Sequence, residues 1–244
     1  MMATTVFLWL RLGSVAEQYK TALCITGLVT FIAFYHYVRI FNSWVDAYEF
    51  PKGIDATELG EKTADPKLTG IPFNDAYRYM DWLLTVPLLL MELVLVMKFD
   101  AKEAQQKSAT LGAAAALMIL LGYPGELITE GPQLSSRWMF WAASMTPFVW
   151  IVYTLLVGLK AATEAEENPD VADLIRLAQK MTVVSWCTYP FVYIIPMLGA
   201  TGSGAIVGIQ IGYCISDIIS KCGVGLLTYS ICKAKSANYV KMED

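Results

Sequence analysis

The stretch Arg78-Tyr-Met-Asp81-Trp-Leu-Leu-Thr85-Val-Pro-Leu-Leu-Leu-Met-Glu92 sets ionisable residues into the otherwise apolar run Tyr79–Met97. In the middle of a membrane span such a residue costs roughly 2.5–3.5 kcal/mol, so each one needs a structural or functional compensation. At about 100° per residue, Asp81 and Glu92 end roughly 20° from the same direction and about 16 Å apart along a helix axis. Arg78 and Thr85 lie one turn to either side of Asp81, on the same stripe. One helix face thus carries a guanidinium, a carboxylate, a hydroxyl and a second carboxylate. Structural ion pairs between packed helices would account for Arg78 with Asp81. They leave Glu92 alone in an apolar stretch.

The rest of the chain agrees with a membrane setting. Of 244 residues, 56% are hydrophobic and 16% charged, against about 25% charged in a soluble domain; mean hydropathy is +0.47. Apolar runs near the ~20 residues of a span recur at Thr21–Val38, Tyr79–Met97, Ser108–Tyr123, Trp138–Leu159, Met181–Ala200 and Ala205–Cys232. A seventh, Met1–Leu12, reaches only about 18 Å as a helix. It reads as the later part of a helix and not as a signal peptide, because it has no basic leader or small-residue cleavage site. We expect one domain over 1–244, an all-α membrane protein built as a seven-helix transmembrane bundle with a truncated first helix.

Loop charge orients this bundle. Lys and Arg gather in alternate connections: Arg11 and Lys20; Lys98, Lys102 and Lys107; Lys160, Arg176 and Lys180; Lys233, Lys235 and Lys241. The positive-inside rule places these in the cytoplasm, with the N-terminus outside and the C-terminus inside, which requires an odd number of spans. The segment Phe41–Phe73, with Lys52, Lys62 and Lys67 among more acids, has turn residues suited to a short hairpin. The acidic run Glu164, Glu166, Glu167, Asp170, Asp173 lacks calcium-loop spacing and reads as a solvated loop. A net charge of −4 leaves no basic face for nucleic acid. The five scattered cysteines form no metal-ligand pattern.

In the last run Asp217 and Lys221, four apart, share a helix face and can pair. A buried amine can condense with a carbonyl as a Schiff base, and the resulting cation needs a counterion. Asp81 and Asp217 are two candidates. Trp186, Tyr189 and Tyr193 recur on one face, Trp141 and Phe148 on another, and Trp82 follows Asp81. Such stripes are usually ordinary core, but beside a mid-membrane lysine they suit a pocket for a long flat ligand. Pro87, Pro147 and Pro190 interrupt helices in the manner membrane spans tolerate.

These residues resemble the microbial (type 1) rhodopsins, and more closely the proteorhodopsin and xanthorhodopsin branch of light-driven proton pumps. Arg78 to Glu92 is similar to the family's helix C signature. Tyr35-His36-Tyr37 with Arg39-Ile-Phe-Asn-Ser-Trp44, Gly122-Tyr-Pro-Gly-Glu126, Trp186-Cys-Thr-Tyr189-Pro190 and Asp217-Ile-Ile-Ser-Lys221 match helices B, D, F and G. The resemblance covers nearly the whole chain; its departure is at the start, where the family's helix A has two or three more turns.

The resemblance implies all-trans retinal on Lys221 as a protonated Schiff base, isomerised by light to 13-cis. It implies Asp81 as primary counterion and proton acceptor, Asp217 as second counterion, Glu92 as proton donor, Thr85 as a hydrogen-bonding companion and Arg78 as the gate of the outward half-channel. His36, a core residue on general grounds, is implied to share a proton with Asp81. The pocket implied comprises Trp82, Leu89, Gly122, Trp141 and Ser144, with Phe148, Trp186, Tyr189, Pro190 and Tyr193. Leu89 is implied to tune the pigment to green. Asp81, Thr85 and Glu92 match outward proton pumps; chloride pumps lack the first carboxylate, and sodium pumps carry Asn, Asp and Gln.

The expectation is therefore an outward proton pump and not an enzyme, with retinal, protons and the lipid bilayer as partners, and a homo-oligomer in the membrane. No carotenoid antenna is expected, because Trp141 stands where antenna-binding members have glycine. The alternative is a photosensory rhodopsin; Glu92 argues against it, as does the lack of a long tail after Lys241. A third class is a non-photic transporter or receptor in which Asp217 and Lys221 are a structural pair.

Overall fold

A computed structural model describes residues 1–49, 67–97, 99–128, 131–200 and 203–243. Its helices are α1 (Met2–Leu10), α2 (Glu17–Ala47), α3 (Ala76–Leu95), α4 (Ala101–Glu126), α5 (Arg137–Tyr153), α6 (Lys160–Glu164), α7 (Pro169–Ile194), α8 (Ser203–Asp217) and α9 (Val224–Glu243). One π-helical turn, Thr154–Gly158, runs α5 into α6, and another, Ile218–Gly223, runs α8 into α9. Among the described residues the helices therefore form seven rods. Sequential rods are neighbours, so α3 packs between α2 and α4, and the last rod closes against α1, α2 and α7.

Four rods, Glu17–Ala47, Ala101–Glu126, Leu134–Glu164 and Gly204–Ala237, are long and apolar enough to cross a membrane on composition alone. α3 has a span's length but carries Arg78, Asp81 and Glu92. The distribution of side chains completes the argument. Phe41, Leu84, Leu120, Val149, Val184 and Ile215, one on each long rod, point outward and are exposed, while Arg78, Asp81, Glu92, Arg137, Asp217 and Lys221 are buried. Water as solvent favours the reverse arrangement; surrounding hydrocarbon favours this one.

The apolar runs mark the middles of the rods, and polar caps carry the ends further. α4 starts at Ala101 because the Asp100 side chain accepts from the Glu103 backbone N–H at 2.8 Å. α7 starts more than two turns before its apolar run, with Asn168 as cap and Pro169 in the first turn. Pro87, Pro124, Pro147 and Pro190 lie inside helices without ending them.

α1 is short, and its position rests on close approach. A Cβ at Gly27 would come within 2.1 Å of Trp9 Nε1, so only glycine lets α2 accept that indole. Thr5 and Thr30 join the two helices through their hydroxyls at 2.8 Å.

β1 (Tyr48–Glu49) and β2 (Lys67–Leu68) pair antiparallel with Tyr48 opposite Leu68, and the turn of the expected hairpin lies outside the described residues. Lys52, Lys62 and Lys98 lie outside the described residues, as do the side chains of Lys67 and Lys241. The reading of the acidic run needs one correction. Glu164, Glu167, Asp170 and Asp173 are exposed, but the Glu166 side chain turns inward and pairs with the Lys235 amine at 2.7 Å, both 7% exposed or less. Charge spacing alone could not reveal a partner sixty-nine residues away.

Candidate functional site

Lys221 lies within the π turn Ile218–Gly223 and is buried. Such turns are rare and concentrate at functional sites. Its Nζ bonds the Asp217 carboxylate and stands 3.3 Å from Asp81 Oδ2 on α3. One amine therefore faces two carboxylates supplied by different rods.

The two carboxylates are held very differently. Asp217 accepts from the Tyr37 hydroxyl at 2.5 Å, the Tyr189 hydroxyl at 2.7 Å and the Trp82 indole N–H at 3.2 Å, besides Lys221. Both carboxylate oxygens of Asp81 are buried without a hydrogen-bond partner, so acceptor capacity faces the amine. Thr85 does not supply the missing bond: its hydroxyl donates to the Asp81 backbone carbonyl at 2.7 Å.

Beside this cluster lies an apolar cavity walled by Trp82, Trp141, Phe148, Trp186, Tyr189, Pro190 and Tyr193, with Gly122 and Ser144 closing one side. The walls are themselves braced. Trp141 donates to the Pro190 carbonyl at 3.3 Å, Tyr193 to the Gly122 carbonyl at 3.0 Å and Ser144 to the Met118 carbonyl at 2.8 Å. A Cβ on Gly122 would press to 3.3 Å on Ser144 Oγ, so a larger residue would crowd this wall. Because Trp82 and Tyr189 both line the cavity and bond Asp217, its inner end lies against the Lys221 cluster. Aromatic walls, a buried amine and two counter-charges fit a long flat carbonyl ligand joined to that amine.

Toward the N-terminal end of α3, Arg78 donates to Tyr37 at 3.1 Å and to Gln210, and reaches Asp217 at 3.9 Å and Asp75 at 3.7 Å. The Arg78–Asp81 pair expected under the structural alternative does not form; the guanidinium is drawn to partners on α2 and α8. At the other end, Glu92 is buried and accepts from the Thr228 hydroxyl at 3.3 Å, with Thr26 alongside. It is thus not alone in an apolar stretch, because α2 and α9 each turn a threonine toward it.

Two residues are not brought to their expected places. His36 packs edge-on against Tyr35 at 5.3 Å with Nδ1 unpartnered, and makes no hydrogen bond to Asp81. About 100° further round α2, Tyr37 is the residue aimed at the cluster. Leu89 is buried in the core but is not among the residues lining the cavity.

Sequence reasoning also missed four contributors. Tyr37 and Tyr213 had a legible signal, since Tyr213 lies one turn before Asp217 and meets Trp82 edge-on at 5.2 Å. Glu126 lies in the stretch that matches helix D, but no spacing pointed to Arg137 as its partner. They form a buried pair at 3.0 Å, and Tyr79 joins it at 3.3 Å.

The geometry can be set against known proteins. A family profile described as bacteriorhodopsin-like protein matches residues 1–234. The chain belongs to the bacteriorhodopsin-like family. Among solved structures it is similar to xanthorhodopsin, a light-driven ion pump with dual chromophore, at 42% identity and a TM-score of 0.86, covering 97% of this chain and 89% of that one. It is 25% identical over 238 residues to the green-light absorbing proteorhodopsin of Gamma-proteobacterium EBAC31A08, covering 98% of this chain and 84% of the relative. It is 27% identical over 239 residues to the blue-light absorbing proteorhodopsin of Gamma-proteobacterium Hot 75m4, with the same coverage. As a family member the protein is an integral membrane rhodopsin with retinal as its cofactor.

Proposed function

We propose that this rhodopsin is a light-driven outward proton pump in which Lys221 carries retinal, Asp81 is the proton acceptor and Glu92 the proton donor. The observation that carries the reading is the asymmetry around Lys221: Asp217 is held by four donors, while Asp81 faces the same amine at 3.3 Å with no second protein donor on either oxygen. Retinal bound to Lys221 supplies light absorption and an isomerisation that displaces the proton at the Lys221 nitrogen.

The protein's own groups do the rest. Asp217, fixed by Tyr37, Tyr189 and Trp82, stays a charged neighbour and orients the Lys221 nitrogen. Asp81 takes the proton on a free carboxylate oxygen. Arg78, between Asp217 and Gln210, is the cation past which the proton leaves on the outer side. Glu92, about 16 Å along α3 by helix rise, returns a proton to the Lys221 nitrogen and is refilled from the cytoplasm. Connectivity puts Arg11, Lys20, Lys102, Lys107, Lys160, Arg176, Lys180, Lys233 and Lys235 at the Glu92 end of the bundle, which supports that end as cytoplasmic. The proton sharing expected between His36 and Asp81 has no hydrogen bond to support it in this geometry.

Illumination of cells expressing the protein tests the reading. Sustained acidification of the medium, abolished by a protonophore, is expected. An absence of pH change from a pigment that still absorbs and cycles favours the photosensory alternative.

A further inference from the structure

Beyond Glu92, toward the ends of α2, α7 and α9, the bundle is closed by a layer of polar contacts that no step above uses. Lys235 and Glu166 form its centre, paired at 2.7 Å and almost wholly buried. The Lys235 amine also lies 6.0 Å from the Tyr19 ring centroid on α2. Around them Ser236 accepts from the Ala16 N–H at 2.8 Å, and Gln179 donates to Thr163 at 3.3 Å. The layer ties the α6–α7 connection, the start of α2 and the end of α9 together.

Its place relative to Glu92 follows from α9. Thr228, Cys232 and Lys235 fall at i, i+4 and i+7, one stripe of the helix, and Lys235 lies about 10 Å beyond Thr228 by helix rise. Thr228 is bonded to Glu92. Cys232, fully buried between them, lies within electrostatic reach of both Glu92 and Lys235. The stripe therefore leads from the carboxylate through a hydroxyl and a thiol to the ion pair, and the pair stands between Glu92 and the surface.

A buried ion pair is costly to assemble and costly to break by removing one partner. Parting its two charges would require rehydrating both of them, so an opened pair admits water. We propose that the Lys235–Glu166 pair is the closed gate of the proton-uptake path, so that a proton from cytoplasmic hydronium reaches a Glu92 oxygen only while Lys235 and Glu166 are apart. The pair is a positioning element; it exchanges no proton itself and is unchanged after each cycle. This inference rests on Glu92 being the donor.

Cys232 gives a native reporter beneath the gate. A small charged methanethiosulfonate would be applied to the retinal-bound protein in the dark and in continuous light, and modification of Cys232 read by peptide mass. In the unmodified protein labelling should be slow in the dark and faster in light. Lys235→Met and Glu166→Gln should raise the dark rate by roughly an order of magnitude or more and erase the light dependence. They should also speed proton uptake measured with a pH-indicator dye, while the visible band stays in place.

The double exchange Glu166→Lys with Lys235→Glu should restore slow dark labelling, which loosened folding of that end would not. Unchanged Cys232 labelling in both single variants, or light-independent labelling of the unmodified protein, overturns the gate. Neither result bears on the donor reading, which stands or falls on Glu92→Gln. The gate, conversely, is read from Cys232 whatever that variant does.

Discussion

Lys221 places its Nζ 3.3 Å from Asp81 Oδ2 across the gap between the last rod and α3, with neither Asp81 oxygen otherwise bonded. The contact joins residues far apart in the chain and sets a buried amine against a carboxylate with no second protein donor.

Lys221→Ala should abolish the visible chromophore. Lys221 is the amine that the buried carboxylates and the aromatic cavity converge upon. Absorption spectra with and without added retinal check this, and a covalently linked pigment in the variant would remove Lys221 from the assignment.

Glu92→Gln should leave the colour almost unchanged, because the carboxyl is about 16 Å from Asp81. Return of the proton to the Lys221 nitrogen should slow by on the order of a hundredfold, the usual worth of a positioned general acid. Azide, a mobile proton carrier, should restore the rate. Flash photolysis reads both effects, and an unaltered return rate would exclude Glu92 as donor.

The unmodified pigment should absorb in the green, and Leu89→Gln should shift the maximum toward the blue. Leu89 is buried in the core one turn after Thr85 on α3, and the glutamine would introduce an amide dipole there. A blue maximum of the unmodified protein at neutral pH contradicts the role carried over to this position.

No carotenoid antenna should form. Trp141 fills the cavity wall, anchored to the Pro190 carbonyl and meeting Trp138 edge-on at 5.8 Å. After incubation with lutein or zeaxanthin, the action spectrum should show no carotenoid bands. Energy transfer to retinal would mean that the indole leaves the window open.

Arg137→Ala should destabilise the bundle by about 3–5 kcal/mol, the cost of leaving a buried partner charge uncompensated. Arg137 serves more than Glu126: its guanidinium also donates to the backbone carbonyls of Gly125, Glu126, Ile128 and Tyr193. Arg137→Lys should rescue little, since an ammonium cannot reproduce the planar fork. Thermal bleaching of the pigment measures the loss; bleaching at the unmodified temperature would show those bonds to be replaceable.

Much of this molecule was written along the chain because the relevant physics is local. Apolar runs of span length, the Arg78, Asp81, Thr85, Glu92 stripe and the Asp217, Lys221 pair each depend on helical periodicity within one rod, and all three are legible from spacing. Boundaries were less so, since Asp100 and Asn168 extend helices by capping beyond the apolar signal. Relations between rods were settled only by packing. That Arg78 turns to Gln210 and Asp217 and not to Asp81, that Tyr37 and not His36 reaches the cluster, that Glu92 meets Thr228, that Glu126 finds Arg137 and that Glu166 finds Lys235 all depend on how helices rotate against one another. A buried polar group takes the partner that packing presents, because an unmet hydrogen bond in an apolar interior costs more than any preference encoded by sequence spacing.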